Sequence, residues 1–172
     1  MTSYEYRILS SFMDIKPFPY NLTKTQDPLC KQHGVYEIVK IDNFIIVWAE
    51  GPWNIETVMN YHKGIVSAIE SVGTKPWYYV SIVKGESLFT PEASELFSTI
   101  CQRLSEHSIQ ACTFLINQSF APILTRNLFK QVCEDNNIHF SSYACEQDFK
   151  NQLLAFNDAI SPNDVLTAPD WW

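Results

Sequence analysis

The chain has no cluster of positive charge. Its twelve lysines and arginines stand singly against nineteen acidic residues, for a net charge of −7. Nucleic-acid binding needs Lys and Arg gathered on one surface, and docking on an anionic membrane needs the same sign, so neither partner is expected. Long hydrophobic runs are also missing. The longest, Phe44 to Ala49 and Tyr78 to Val83, have the length of strands and fall far short of the roughly 20 residues of a spanning helix. The opening MTSYEYRIL has no basic segment followed by an apolar one, so no signal peptide is read. The five cysteines (Cys30, Cys101, Cys112, Cys133, Cys145) are odd in number and contain no CxxC pair. Such a set fits reduced, mostly buried thiols in a cytoplasmic protein better than a disulfide framework.

Motifs that carry chemistry are equally scarce. The five glycines form neither a phosphate loop nor a dinucleotide fingerprint. There is no GxSxG elbow, and no cysteine at a helix start beside a histidine. His33, His62, His107 and His139 do not stand at metal-ligand spacing from Cys, Asp or Glu, and no HxxxH occurs. His62 lies close to the buried stripe of a helix and reads as an interior or boundary group. Cys133 and His139 straddle a helix end and a strand start, which sets no useful geometry. No catalytic residue, cofactor or metal is therefore read, and a non-enzyme is expected. Catalytic groups converging from distant positions are the exception that such a reading leaves open.

What the chain does have is apolar and patterned. Hydrophobic residues make up 46% and aromatics 14% of 172 residues, enough for one domain that buries roughly 70% of its unfolded surface. At its centre, Phe44 to Gly85 reads as an apolar strand, a capped amphipathic helix and an aromatic strand. Before it, Val35 to Ile41 is a strand joined to Phe44–Glu50 by Asp42-Asn43, a pair that tolerates the positive φ of a tight hairpin turn. Gly51-Pro52-Trp53 is expected to stop the second strand. Asn54 then caps a helix whose stripe is Ile55, Val58, Met59, Ile65, Ile69 and Val72, ended by Gly73. Gly64 inside that helix suggests close packing on the sheet. Trp77 to Lys84 is a strand covered on both faces, and Gly85 to Phe89 a loop.

Thr90-Pro91-Glu92 starts a second helix bearing Ala93, Leu96, Phe97, Ile100 and Leu104. Cys112 to Asn117 is the fourth strand. A third helix, starting near Ser119, bears Leu124, Leu128 and Val132. Ile138 to Ala144 is a fifth strand, and Glu146 to Ile160 a last helix with Phe149, Leu153 and Phe156 inward. The expected fold is α/β, with a mixed sheet of about five strands and about four helices. Three segments follow: an arm over residues 1–34, a domain over 35–160 and an irregular tail over 161–172. In the arm, Tyr4 to Met13 reads as a short helix or strand. Pro17, Pro19 and Pro28 then make Lys16 to Gly34 extended, with Phe12, Phe18 and Tyr20 laid against something.

This element order, with GPWN at the first strand-to-helix turn, KPW opening the third strand and LFTPEA opening the second helix, resembles the STAS superfamily, nearest to its divergent SpoIIAA-like members. The resemblance spans about residues 35 to 157. It implies a bacterial regulatory domain that binds another protein without catalysis. Many members are switched by phosphorylation of a Ser or Thr before the second helix, in a motif like Asp-Ser-Ser-Gly. Here the matching segment is Gly85 to Ala93, and Thr90 falls nearest the phosphoacceptor position. The segment departs from the motif: no Asp precedes Thr90, Pro91 follows it, and its own role as a helix cap accounts for Thr-Pro-Glu. The kinase switch is thus the minority reading.

The loops after the carboxyl ends of the strands are the usual ligand location in open α/β sheets. They carry Trp53, Asn54, Phe89, Thr90 and Phe120. Trp53, Phe89 and Phe120 together suggest an apolar rim for a partner protein or for a small apolar or lipid-like ligand; the alternative is that they cap the sheet end as core. The Trp171-Trp172 pair either folds back on the domain or meets a second subunit in a homodimer.

Overall fold

The structure, a computed structural model, describes residues 33–157 and 160–172. The expected arm, with Cys30 and the Tyr4–Met13 element, lies outside the described residues apart from His33 and Gly34. Val35–Ile41 (β1) and Phe44–Trp53 (β2) pair as an antiparallel hairpin from Val35 opposite Glu50 to Ile41 opposite Phe44. Asp42 makes the turn at φ 51, the left-handed conformation that a short polar residue tolerates. From β2 onward the chain alternates helix and strand: α1 (Ile55–Val72), β3 (Trp77–Phe89), α2 (Pro91–Leu104), β4 (Ile109–Ser119), α3 (Pro122–Asp135), β5 (His139–Tyr143) and α4 (Glu146–Phe156). A one-turn helix, α5 (Pro162–Val165), follows.

The sheet order is β1-β2-β3-β4-β5, antiparallel in its first pair and parallel in the rest. The fold class is therefore α/β with a five-stranded mixed sheet. Right-handed crossovers taken always toward the next strand lay their helices on one face. Accordingly α1, α2 and α3 share a single core with Ile45, Val47 and Ala49 of β2 and Cys112, Phe114 and Ile116 of β4. α4 follows the last strand and has no crossover to make. It covers the opposite face, where Phe149 and Leu153 join Phe44, Ile46, Trp48, Val80, Ile82 and Leu115. Strands β2 and β3 are apolar on both faces because both faces are covered.

Local chemistry explains the helix ends. The Asn54 side-chain oxygen accepts from the Thr57 backbone N–H, and the Gly73 N–H bonds the Ile69 carbonyl. Gly64 lets α1 approach β1, since a Cβ there would lie 2.8 Å from Ile38 Cδ1.

Several expectations are corrected. β2 does not stop at Gly51-Pro52-Trp53 but runs through it, across a cis Gly51–Pro52 peptide and a register shift against β3. Gly85 to Phe89 is not a loop but the continuation of β3. The buried stripe of α1 includes Thr57 and Tyr61, whereas Ile55 and Met59 are only half-buried. In α3 the buried face is Thr125, Phe129, Val132 and Cys133, and Leu124 is exposed. α4 ends at Phe156, short of Ile160. The tail is not wholly irregular: Pro162–Val165 is helical, Val165 is buried in the second core beside Ile160, and Leu166 and Trp172 pack against it.

Candidate functional site

The extension of β2 and β3 beyond their regular pairing builds the carboxyl end of the sheet. Trp53 lies opposite Phe89, the Thr90 N–H donates to the Trp53 carbonyl at 3.0 Å, and the Phe120 N–H donates to the Gly85 carbonyl at 2.8 Å. Those bonds gather the ends of β2, β3 and β4, and with them Trp53, Asn54, Phe89, Thr90 and Phe120.

The gathering does not form the expected rim. Trp53 is only 5% exposed. Its ring touches Tyr36, Tyr61 and Phe89 at centroid distances of 5.7, 5.3 and 5.5 Å, and its indole N–H donates to the Glu50 carbonyl. Phe89 is half-buried and packs on Phe97 and Phe129. Both residues close the end of the first core. The strand continuation is the reason: period-two alternation through Gly51 and Pro52 turns Trp53 inward with Ala49 and Val47. Phe120, by contrast, is 84% exposed, and Ile123 and Leu124 beside it are 74% and 61% exposed. The apolar surface at this end is therefore Phe120-Ile123-Leu124. Sequence reasoning missed it by assigning Leu124 to the buried stripe. A better signal was the spacing Thr125-Phe129-Val132-Cys133, which sets a buried face that excludes 123 and 124.

The polar candidates are occupied by local structure. The Asn54 side-chain oxygen accepts from the His33 N–H at 3.1 Å and the Thr57 N–H at 3.2 Å, so the start of α1 also secures the chain entering β1. The Thr57 hydroxyl lies against both that oxygen and the His33 carbonyl. Exposed Thr90 caps α2, its hydroxyl oxygen accepting from the Ala93 N–H at 3.4 Å. Glu86 and Glu92, also exposed, flank it in sequence.

Behind the aromatic closure lie two cavities of about 20 Å³ each. One is bordered by Trp53, Ser81, Ser87 and Phe89, the other by Tyr61, Cys101, Cys112 and Cys133, and both are lined by Tyr79, Phe97 and Phe129. The Tyr61 hydroxyl donates to that of Tyr79 at 3.1 Å. Burial pushes both phenols above their ordinary range. Burial likewise raises the Cys101 thiol, and the Cys112 thiol is raised first by its hydrogen bond with Cys133 and then by burial. Burial thus favours the neutral form of all four groups, and the Tyr61–Tyr79 hydrogen bond gives the two phenols partners within the apolar lining. His62 is half-buried at the boundary of α1, and burial together with Arg103 lowers its pKa.

Among the described residues no group of three or more His, Cys, Asp or Glu could hold a metal ion, and no helix is long and apolar enough to cross a membrane. No protein-family model, curated protein or solved structure matches the chain.

Proposed function

We propose that this domain is a non-catalytic STAS-like regulatory module that acts in the bacterial cytoplasm by binding another protein. The observation that carries the reading is the Phe120-Ile123-Leu124 surface. Three large apolar side chains, adjacent and open to water at one strand-to-helix turn, are what an interaction surface requires. Their position also suits a binding role, since open α/β sheets receive ligands beyond the carboxyl ends of their strands. The element order and the GPWN, KPW and LFTPEA turns that resemble the STAS superfamily support the same reading. In the minority version, phosphorylation of exposed Thr90 switches the module. A phosphate there would gain the amides at the start of α2 against the charges of Glu86 and Glu92.

The test compares wild type with Phe120→Ser/Ile123→Ser at matched melting temperature, using cross-linking and affinity capture from native lysate. A recurrent partner cross-linked at α3 and lost in the variant is the expected result. An identical set of captured proteins for both would count against the proposal.

A second reading, a site for a small apolar or lipid-like ligand, draws on the two cavities that share Tyr79, Phe97 and Phe129. At about 20 Å³ each they have room for about one water apiece, so a ligand would have to part Phe97 from Phe129. Native mass spectrometry of protein purified without detergent should then show an adduct that Trp53→Ala loses.

A further inference from the structure

The last two residues of the sequence are docked on the sheet. Trp172 stands edge-on to Trp48 with centroids 4.7 Å apart, and Trp171 meets Trp172 at 5.4 Å. The Lys84 ammonium lies 4.1 Å from the centre of the Trp172 ring and 5.7 Å from that of Trp171. Glu50 pairs with the same ammonium at 3.3 Å. The Trp171 indole N–H donates to the Glu37 carboxylate at 3.1 Å. A cation over π faces, an aromatic edge contact and a carboxylate for an indole N–H are three distinct ways of holding an aromatic side chain, gathered on one surface.

The receiving side and the docked side are built differently. Glu37 lies directly opposite Trp48 across the β1–β2 pair, and Glu50 opposite Lys84 across β2–β3. The receiving residues thus come from three adjacent strands whose spacing does not depend on the tail. The tail is anchored by buried Ile160 and Val165. After them Thr167, Ala168 and Asp170 are exposed in a run without helix or strand, and Trp171 is 38% exposed. An anchored base, an exposed spacer and a half-exposed aromatic pair allow the pair to leave while Ile160 and Val165 stay in place.

We propose that Glu37, Trp48 and Lys84 form a binding surface for a partner-protein segment that presents adjacent aromatic side chains, and that Trp171-Trp172 occupy it in cis as a displaceable plug. The plug itself defines the partner chemistry, because it is the sequence the surface is seen to hold. This surface lies on the α4 face of the sheet and stands independently of the Phe120 patch. With a spacer this short, the tail competes with an incoming segment at an effective concentration on the order of millimolar, so only a segment richer in contacts, or present in excess, displaces it.

The experiment uses the full chain with Trp171→Ala/Trp172→Ala and a dye-labelled, acetylated and amidated peptide, Ala-Pro-Asp-Trp-Trp, that copies residues 168–172. Fluorescence anisotropy should show the variant binding the peptide more tightly than wild type by the factor 1 + c/Kd, with c the effective concentration of the tail and Kd that of the pair for the surface. For c of about 1 mM this is about two-fold at a Kd of about 1 mM and about ten-fold at about 0.1 mM. Adding Lys84→Met should abolish the binding, and a peptide with alanine at both tryptophans should not bind. Three results would overturn the proposal: no uptake by the variant, equal uptake by wild type, or a variant that fails to fold by circular dichroism, which would make the pair part of the core. A wild-type dimer in solution that the double substitution dissolves would overturn the cis plug by placing a second copy's tail on the surface.

Discussion

At Gly51 two backbones meet with no room for a side chain. An ideal Cβ there would sit 2.1 Å from the Glu86 carbonyl oxygen, and a strand backbone yields less readily than a flexible side chain. Gly51→Ala should therefore destabilise the protein by about 3 kcal/mol, the upper end for overpacking, read as a lower urea midpoint at unchanged slope. His62 sets a different single-residue expectation. Burial, then Arg103, lowers its pKa in the fold, so the unfolded chain takes up the proton first. Stability is then full above the unfolded value near 6.5 and declines as pH falls from there toward the lowered folded value. His107, lowered mainly by burial, adds to the same slope. Melting between pH 7.5 and 5 should show the decline, and His62→Gln should flatten part of it; an unchanged slope would refute the assignment.

Among the helices, the starts differ in how well they are capped. Asn54 satisfies the first turn of α1 and ties in His33, so Asn54→Ala should cost about 1–2 kcal/mol. Cys145 holds the same position for α4 in extended conformation without a side-chain cap bond, and Cys145→Ser should add about 1 kcal/mol. Opposite shifts of the denaturation midpoint in the two variants are the check. These ends were legible in the sequence because a cap acts within three or four residues. The stripes were less so. Tyr61 and Thr57 look polar in a hydrophobicity count, yet Tyr61 is buried with its hydroxyl bonded to Tyr79. Thr125 misled the reading of α3 in the same way, and its place on the buried face is what sends Ile123 and Leu124 outward.

At the scale of the whole molecule, among the described residues, α4 and the tail cover the second face of the sheet. Phe149 is fully buried there among Phe44, Ile46, Val80 and Leu115. Phe149→Ala should cost about 3–5 kcal/mol, well beyond either cap substitution, and should loosen the Trp48–Trp172 contact through the shared core. Thermal melting and the tryptophan emission maximum report the two effects. A loss as small as that of Asn54→Ala would mean that α4 adds little to the sheet.

The α/β class, the hairpin at Asp42-Asn43, the order of strands and helices, and the caps at Asn54 and Thr90 could all be read from the amino-acid order. Each of these follows from periodicity or from chemistry between near neighbours. That β2 and β3 run on past Gly51 and Gly85 emerged only in the folded chain, because the extension rests on pairing between strands far apart in sequence. Once they do, alternation turns Trp53 into the core. The apolar face at that end of the sheet passes to Phe120, Ile123 and Leu124. The docking of Trp171-Trp172 is of the same kind: its hold on Glu37, Trp48 and Lys84 spans up to 134 positions of sequence, a separation at which no local pattern carries information.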